Sequence, residues 1–345
     1  MMTRQLPIIA IATAPGKAGV GVVRISGKNL APIIQALFQK ALQPRQASLC
    51  TLRDSAGQTI DQLIAIYFSA PASFTGEDVL ELQCHGGPQL LELVMRRCLE
   101  LGKNEGLVIA EPGEFSLRAY LNNKIDLAQA EAIADLIDAQ SEAAVLGASR
   151  SLQGAFSDDI NGLIEEITQL RILVESTLDF PEEEIEFLEN AQARERLSAV
   201  MQKLYALREG AKQGKILRDG IQLVLAGAPN VGKSSLLNRL AGEEVAIVTP
   251  IAGTTRDRVK ESITINGVPM HIIDTAGLRE TSDLVEAKGI ERSWDAIRTA
   301  DLVIFLQDPS AKETVEGAEA LELKTKVLKA LPPKCPVLEV GNKSD

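Results

Sequence analysis

Apolar and polar positions change their spacing twice along the chain, and the changes divide it into three. Up to about residue 120 the apolar residues form short strand-like runs, Ile8 to Ala12, Val20 to Ile25, Ile64 to Phe68 and Val79 to Cys84, with one helical segment around Leu90 to Leu101. Mixed runs of this kind predict an α+β domain over 1–120. From about Asp126 the period lengthens. Ile160, Leu163, Ile164, Ile167, Leu170, Val174 and Leu178 recur every three or four residues until Pro181, and Leu197, Val200, Leu204 and Leu207 repeat the spacing. This predicts amphipathic helices and an α-helical middle domain over 121–215.

The last segment, 216–345, alternates strand and helix. A strand over Ile221 to Ala226 precedes a helix from Lys233, and a hairpin turns at Asn266-Gly267. Helix 286–299, strand Asp301 to Leu306, a helix near Glu313 to Ala330 and strand Val337 to Val340 complete a doubly wound α/β sheet. The sheet reads as incomplete, because the chain stops where a further strand and helix are expected.

That segment carries the chemistry. Gly227-Ala-Pro-Asn-Val-Gly-Lys233-Ser234-Ser235 follows the first strand and fits G-x-x-x-x-G-K-[ST]. Backbone N–H groups of such a loop and of the following helix converge on phosphate oxygens, Lys233 adds a point charge, and Ser234 offers a hydroxyl to Mg²⁺. Asn230, Val231, Gly232 and Ser235 share the loop. Asp274-Thr275-Ala276-Gly277 follows a strand, with Asp274 expected to hold Mg²⁺ through water and the Gly277 N–H to meet a γ-phosphate. Asn342-Lys343-Ser-Asp345 ends the chain, and a carboxylate at Asp345 accepts from the two N–H groups on guanine's edge, a pairing adenine cannot offer. Order and spacing together predict a Ras-like GTPase domain, truncated after this motif.

The place of the water-orienting glutamine of Ras-like enzymes is held by Leu278, which can neither donate nor accept. Polar residues follow at once in Arg279, Glu280, Asp283 and Glu286, readable as catalytic groups or as a solvated charge run. Thr249-Pro-Ile251-Ala-Gly-Thr254-Thr255-Arg-Asp lies where a switch loop belongs, and Thr255 is a candidate sensor of Mg²⁺ and γ-phosphate. The Asn230 carbonyl could bind a monovalent cation beside the phosphates; equally, asparagine suits the turn.

Composition narrows the class further. A formal charge of −11 and only 3% aromatic residues exclude a free-standing nucleic-acid binder with a basic or stacking face, so any RNA contact is local or assisted by a partner. Four dispersed cysteines and two histidines give neither a disulfide framework nor a zinc site. Arg4, the apolar Leu6 to Ala12 and Ala12-Thr-Ala14 imitate a signal peptide, but Pro7 interrupts the core and a GTP-dependent switch requires the cytoplasm. No apolar run reaches bilayer length, so no membrane association is expected.

With those residues in hand, the chain resembles the bacterial tRNA-modification GTPases of the MnmE (TrmE) family over its whole length. The likeness rests on the stretches 15–27 (Pro-Gly-Lys-Ala-Gly-Val-Gly-Val-Val-Arg-Ile-Ser-Gly), 73–83 (Ser-Phe-Thr-Gly-Glu-Asp-Val-Leu-Glu-Leu-Gln), 112–116 (Pro-Gly-Glu-Phe-Ser), 123–131 (Asn-Lys-Ile-Asp-Leu-Ala-Gln-Ala-Glu) and 152–156 (Leu-Gln-Gly-Ala-Phe), together with the GTPase motifs. It implies an N-terminal domain that dimerises and binds 5-formyl- or methylene-tetrahydrofolate through Arg24, Glu81 and Lys124. Read by type alone, these are two solvated cations and a strand-end carboxylate. It implies K⁺ held by Asn230, Thr249, Ile251 and Thr254, Mg²⁺ on Ser234 and Thr255, and Glu286 as the catalytic residue that orients water; Lys233 and Arg279 are catalytic candidates from the loop motif and the polar run themselves. It further implies a homodimer and a heterotetramer with an MnmG (GidA)-type protein using FAD and NADH, adding a carboxymethylaminomethyl or aminomethyl group to the wobble uridine of certain tRNAs. One departure is the missing C-terminal helix with its Cys-x-Gly-Lys motif; another is Cys84 where relatives often carry glycine, read as a buried free thiol. Two other classes fit parts of the chain: a ribosome-assembly GTPase of the Era or EngA kind, and a folate-dependent one-carbon transferase with a regulatory GTPase domain.

Overall fold

The computed structural model describes residues 6–179, 192–228, 231–242, 260–274, 294–295, 297–309 and 315–342. The chain forms two compact units, Met1–Glu131 and Ala132–Asp345.

The first unit is built on a six-stranded sheet, with strands β1 (Ile8–Ile11), β2 (Ala18–Gly27), β3 (Ser48–Arg53), β4 (Thr59–Phe68), β5 (Asp78–Gly86) and β6 (Val108–Ile109) in the order β3-β4-β5-β2-β1-β6. All pairings are antiparallel except β1 with β6. Alternation sorts the faces: Val23 and Ile25 of β2 and Leu80, Leu82 and Cys84 of β5 are buried, while Arg24, Glu81 and His85 point the other way. Helices α1 (Ala31–Phe38) and α2 (Pro88–Leu101) cover the buried face with Ile33, Ile34, Leu37, Leu91, Val94 and Cys98. Proline at the first position of α2 and Gly102 after its last mark the helix ends. A Cβ on Gly21 would lie 2.5 Å from Leu91 Cδ1, so glycine there lets α2 sit close on the sheet. Neither α1 nor β3 stands out in the apolar pattern. Helix α3 (Glu114–Leu121) follows β6.

Helix α4 (Leu127–Asp138) leads into the second unit, which opens with α5 (Glu142–Leu152), α6 (Ala155–Asp179) and α7 (Ala193–Asp219). The α5 N-terminus is capped by Ser141, whose hydroxyl accepts from the Ala144 N–H at 3.2 Å. Periodicity foresaw α6 and α7 well, but only part of its apolar stripe is buried: Leu163 and Val200 are covered, whereas Ile164, Ile167, Leu197 and Leu204 remain exposed. Gly220 alone separates α7 from the next strand, and its N–H closes the helix on the Ile216 carbonyl at 3.0 Å.

Beyond Gly220 lies a five-stranded sheet, made of β7 (Ile221–Gly227), β8 (Lys260–Ile265), β9 (Val268–Asp274), β10 (Leu302–Gln307) and β11 (Val337–Gly341) in the order β11-β10-β7-β9-β8. The β8–β9 hairpin is antiparallel and turns at Asn266 and Gly267, both with positive φ as a type I′ turn demands. The other pairings are parallel. Leu223 and Leu225 of β7 face α8 (Lys233–Gly242) through Leu237, while Val224 and Ala226 face Ile297, just before β10, and Val327 of α9 (Val315–Ala330). Burial on both faces explains the unbroken apolar run of β7. This is the doubly wound α/β architecture, joined to an α+β unit and a helical segment. No helix among the described residues is long and apolar enough to cross a membrane.

Candidate functional site: a phosphate loop and a stacked ion pair

The described residues of three sequence motifs, 227–228 with 231–235, Asp274 and Asn342, lie at the carboxyl edge of the five-stranded sheet. Gly227 ends β7 with φ +151°, and a Cβ there would meet the Leu306 carbonyl oxygen at 2.4 Å. Gly232 has φ +101°, and its Cβ would lie 2.2 Å from Asn342 Nδ2. Glycine is therefore required twice, once for the turn and once for close approach of β11's end. Lys233 is buried, with Nζ donating to the carbonyls of Gly227 at 3.0 Å and Ala228 at 2.9 Å. The side chain curls over the loop that its charge serves. Ser234 and Ser235 are exposed in the first turn of α8, where helix N–H groups and the helix dipole favour anions.

Asp274 closes β9 in register with Leu225 of β7, which places its backbone beside the loop. Asn342 follows β11; its N–H donates to the Gln307 carbonyl at 2.9 Å and its Nδ2 to the Val231 carbonyl at 2.8 Å. Val231 is itself buried. Of the candidate nucleotide and cation residues, Asn230, Thr249, Ile251, Thr254, Thr255, Thr275, Ala276, Gly277, Arg279, Glu286, Lys343 and Asp345 lie outside the described residues.

In the first unit, Arg24 and Glu81 are brought together as cross-strand neighbours of β2 and β5. Arg24 Nε and Nη2 both reach Glu81 Oε1, at 2.9 and 2.8 Å, and the guanidinium lies over the rings of Phe74 and Phe115. Arg24 is thus not the solvated cation its residue type suggests. Lys124 donates to the Pro71 carbonyl at 3.2 Å and lines a cleft of about 450 Å³ with Tyr120, Asn123 and Gln129.

A buried network behind this pair has no counterpart in sequence reasoning. Arg118 donates to Glu77 Oε2 at 2.9 Å, Glu114 Oε1 at 2.8 Å and the Leu6 carbonyl at 2.8 Å. The Ser26 hydroxyl continues the chain to Glu77 Oε2 at 3.0 Å and to the Thr75 hydroxyl at 2.7 Å. The four-residue spacing of Glu114 and Arg118 was a readable signal; Glu77, 41 positions from Arg118, was not. Asp78 is a second missed residue: its carboxylate accepts from the backbone of Leu30 and of Ala70. A third is Asp61, which is buried and accepts from both the backbone and Nδ1 of His85.

Cys84 is a buried free thiol held in its protonated form. Burial, and then the Asp61 charge, push its thiol from 9.0 to about 12, and burial drives Cys98 up as well.

Comparison with known proteins agrees with the geometry. The family model described as GTP-binding protein TrmE N-terminus matches residues 7–124, and that of the MnmE helical domain matches residues 127–331. A protein of Polynucleobacter asymbioticus named tRNA modification GTPase MnmE is 79% identical over all of this chain and 74% of its own length. Proteins of that name are 55% identical in Paracidovorax citrulli (98% of this chain, 73% of theirs) and 57% in Bordetella parapertussis (100% and 75%). Among solved structures, a variant Era of Aquifex aeolicus bound to GDP and a fluoroaluminate is 34% identical over 36% of this chain and 41% of its own, at a TM-score of 0.28.

Proposed function

We propose, from the premise that this chain belongs to the MnmE family of tRNA-modification GTPases, that it hydrolyses GTP with K⁺ stimulation to drive a wobble-uridine modification performed with a flavoprotein partner. The GTPase activity rests on one observation above the others. The buried Lys233, the first turn of α8, the end of β9 and Asn342 meet at one edge of a mostly parallel sheet, where doubly wound folds bind their ligands.

The chain's own residues suit the groups that GTP hydrolysis needs. Gly227 and Gly232 carry no side chains of their own into the loop, which fits backbone binding of phosphates. The Ser234 and Thr255 hydroxyls are hard oxygen donors suited to Mg²⁺. Asn230, Thr249, Ile251 and Thr254 offer an amide oxygen, threonine oxygens and a main-chain carbonyl, a donor set suited to K⁺, which supplies positive charge beside the phosphates when bound. Glu286 orients water where Leu278 cannot, Lys233 and Arg279 complement the developing charge, and Lys343 and Asp345 read the base with Asn342. For the first unit we assign Arg24, Glu81 and Lys124 to a tetrahydrofolate carrying a one-carbon unit, with residues 1–120 forming the folate and dimerisation domain, 121–215 the helical domain and 216–345 the GTPase domain. In this reading the homodimer joins an MnmG-type FAD and NADH protein, and carboxymethylaminomethyl or aminomethyl groups are placed on tRNA in the cytoplasm. A net charge of −11 supports that division, since the partner would furnish the basic surface.

The test is GTP turnover with K⁺ exchanged for Na⁺ at constant ionic strength. A fall of about tenfold or more is expected from loss of a charge at the transition state. Equal turnover in the two salts would overturn the cation site.

A further inference from the structure

Helix α7 carries a charge at odds with the chain around it. Of its 27 residues seven are Lys or Arg and three are Asp or Glu, in a protein whose formal charge is −11. Its neighbour α6 is the opposite, with six acidic residues and one basic. Attraction to neighbouring helices accounts for part of this, since Lys203 pairs with Glu166 of α6 and Arg218 Nε lies 3.9 Å from Asp135 of α4. It does not account for the rest. Tyr205, Arg208, Lys212 and Lys215 follow one another at intervals of three, four and three residues, which puts them on one stripe of the helix, and all four are exposed. Arg208 and Lys212 share one carboxylate oxygen, Glu209 Oε1, at 3.4 and 2.8 Å, and the acid one turn beyond Lys215 is Asp219, which Arg218 already holds at 2.7 Å. Ion pairs this exposed contribute little and exchange readily for another anion. The Arg208 guanidinium also lies over the Tyr205 ring, 5.2 Å from its centre, and that residue is 50% exposed.

We propose that this stripe of α7 is a docking surface for the phosphate backbone of tRNA. Charge and spacing select the occupant. Three cations stand about one turn apart along ~10 Å of helix, an arrangement that meets a row of phosphates, and the half-exposed ring beside them offers a face to an unpaired base. A basic stripe on an acidic molecule also decides where RNA settles, because the negative charge elsewhere repels it. The inference rests on the reading of tRNA as substrate and adds to it a basic contact of this chain's own, beside whatever a partner furnishes.

Fluorescence anisotropy of a labelled tRNA transcript with uridine at its wobble position, titrated with the whole chain between about 50 and 200 mM KCl, tests it. The double variant Lys212→Glu, Lys215→Glu should bind about tenfold or more weaker, with the slope of log affinity against log salt shallower by about two. Its thermal midpoint and its GTP turnover without RNA should match the parent. Tyr205→Ala should weaken binding at unchanged slope. Lys40→Glu with Lys329→Glu alters the net charge equally on other elements and should stay within about twofold of the parent. Equal weakening by the two double variants would reduce the effect to net charge and overturn the surface, as would parent-like binding by the α7 variant; either result leaves the tRNA reading standing. Displacement of the transcript by polyglutamate at equal charge would hand the stripe to an acidic protein and overturn the proposal. A parent chain that binds no transcript overturns both the surface and the reading of tRNA as its direct ligand.

Discussion

Asn342 donates its side-chain amide to the carbonyl of Val231 at 2.8 Å, tying the residue that follows β11 to the middle of the phosphate loop. The residue proposed to read the base and the loop proposed to hold the phosphates thereby share one hydrogen bond, and the Gly232 Cα sits too close to Asn342 for any side chain to intervene.

Removing that tie should loosen the loop. Asn342→Ala forfeits a hydrogen bond of about 1 kcal/mol and the amide's contact with the base, so affinity for a fluorescent GTP analogue should fall about tenfold. A dissociation constant within about twofold of the parent would show that the loop holds its shape without Asn342.

Glu286 is assigned to the water and not to the nucleotide, which separates its effects on rate and binding. Glu286→Ala should lower kcat by about a hundredfold or more with GTP affinity nearly unchanged. Parallel loss of both would remove Glu286 from that role.

The Arg118 cluster predicts a stability effect in the first unit. Arg118→Met leaves the Glu77 and Glu114 carboxylates half-buried without their shared partner, a defect of about 3–5 kcal/mol. Urea unfolding followed through the first unit should shift accordingly, and a shift below about 1 kcal/mol would mean that the cluster contributes little beyond its cost of desolvation.

The thiols give a prediction in pH. A thiol whose acid form is favoured by burial keeps its proton to higher pH in the fold than in the unfolded chain. The contribution of Cys84 to stability is therefore full below about 9 and lost as pH rises towards about 12. Native protein at pH 8 should show one readily titrating thiol, the half-buried Cys335, with Cys50, Cys84 and Cys98 reacting with Ellman's reagent only after denaturation. Fast reaction of Cys84 in the native state would contradict its burial.

Legibility from sequence followed distance along the chain. The phosphate loop was readable because its chemistry lies within nine consecutive residues flanked by a strand and a helix, and α6 because a single period runs its full length. β3 was not, since only Cys50 and Leu52 of its six residues are buried, too few to stand out as a run. The Arg24 surroundings were half legible: its residue type and that of Glu81 were visible, but the rings that flank it lie 50 and 91 positions further on, and no local pattern joins them. The apolar stripes of α6 and α7 showed that these helices have a hydrophobic side without showing how much of it is covered.

One residue, Gly220, stands between the 27-residue helix α7 and the strand that opens into the phosphate loop, and His271 Nε2 rests 3.1 Å from the carbonyl of Asp219 beside it. So short a joint has no slack. A helix of that length spans ~40 Å, so a tilt of ~10° about its end carries the far tip ~7 Å. A change of direction at Gly220 would therefore be magnified at the far end of α7.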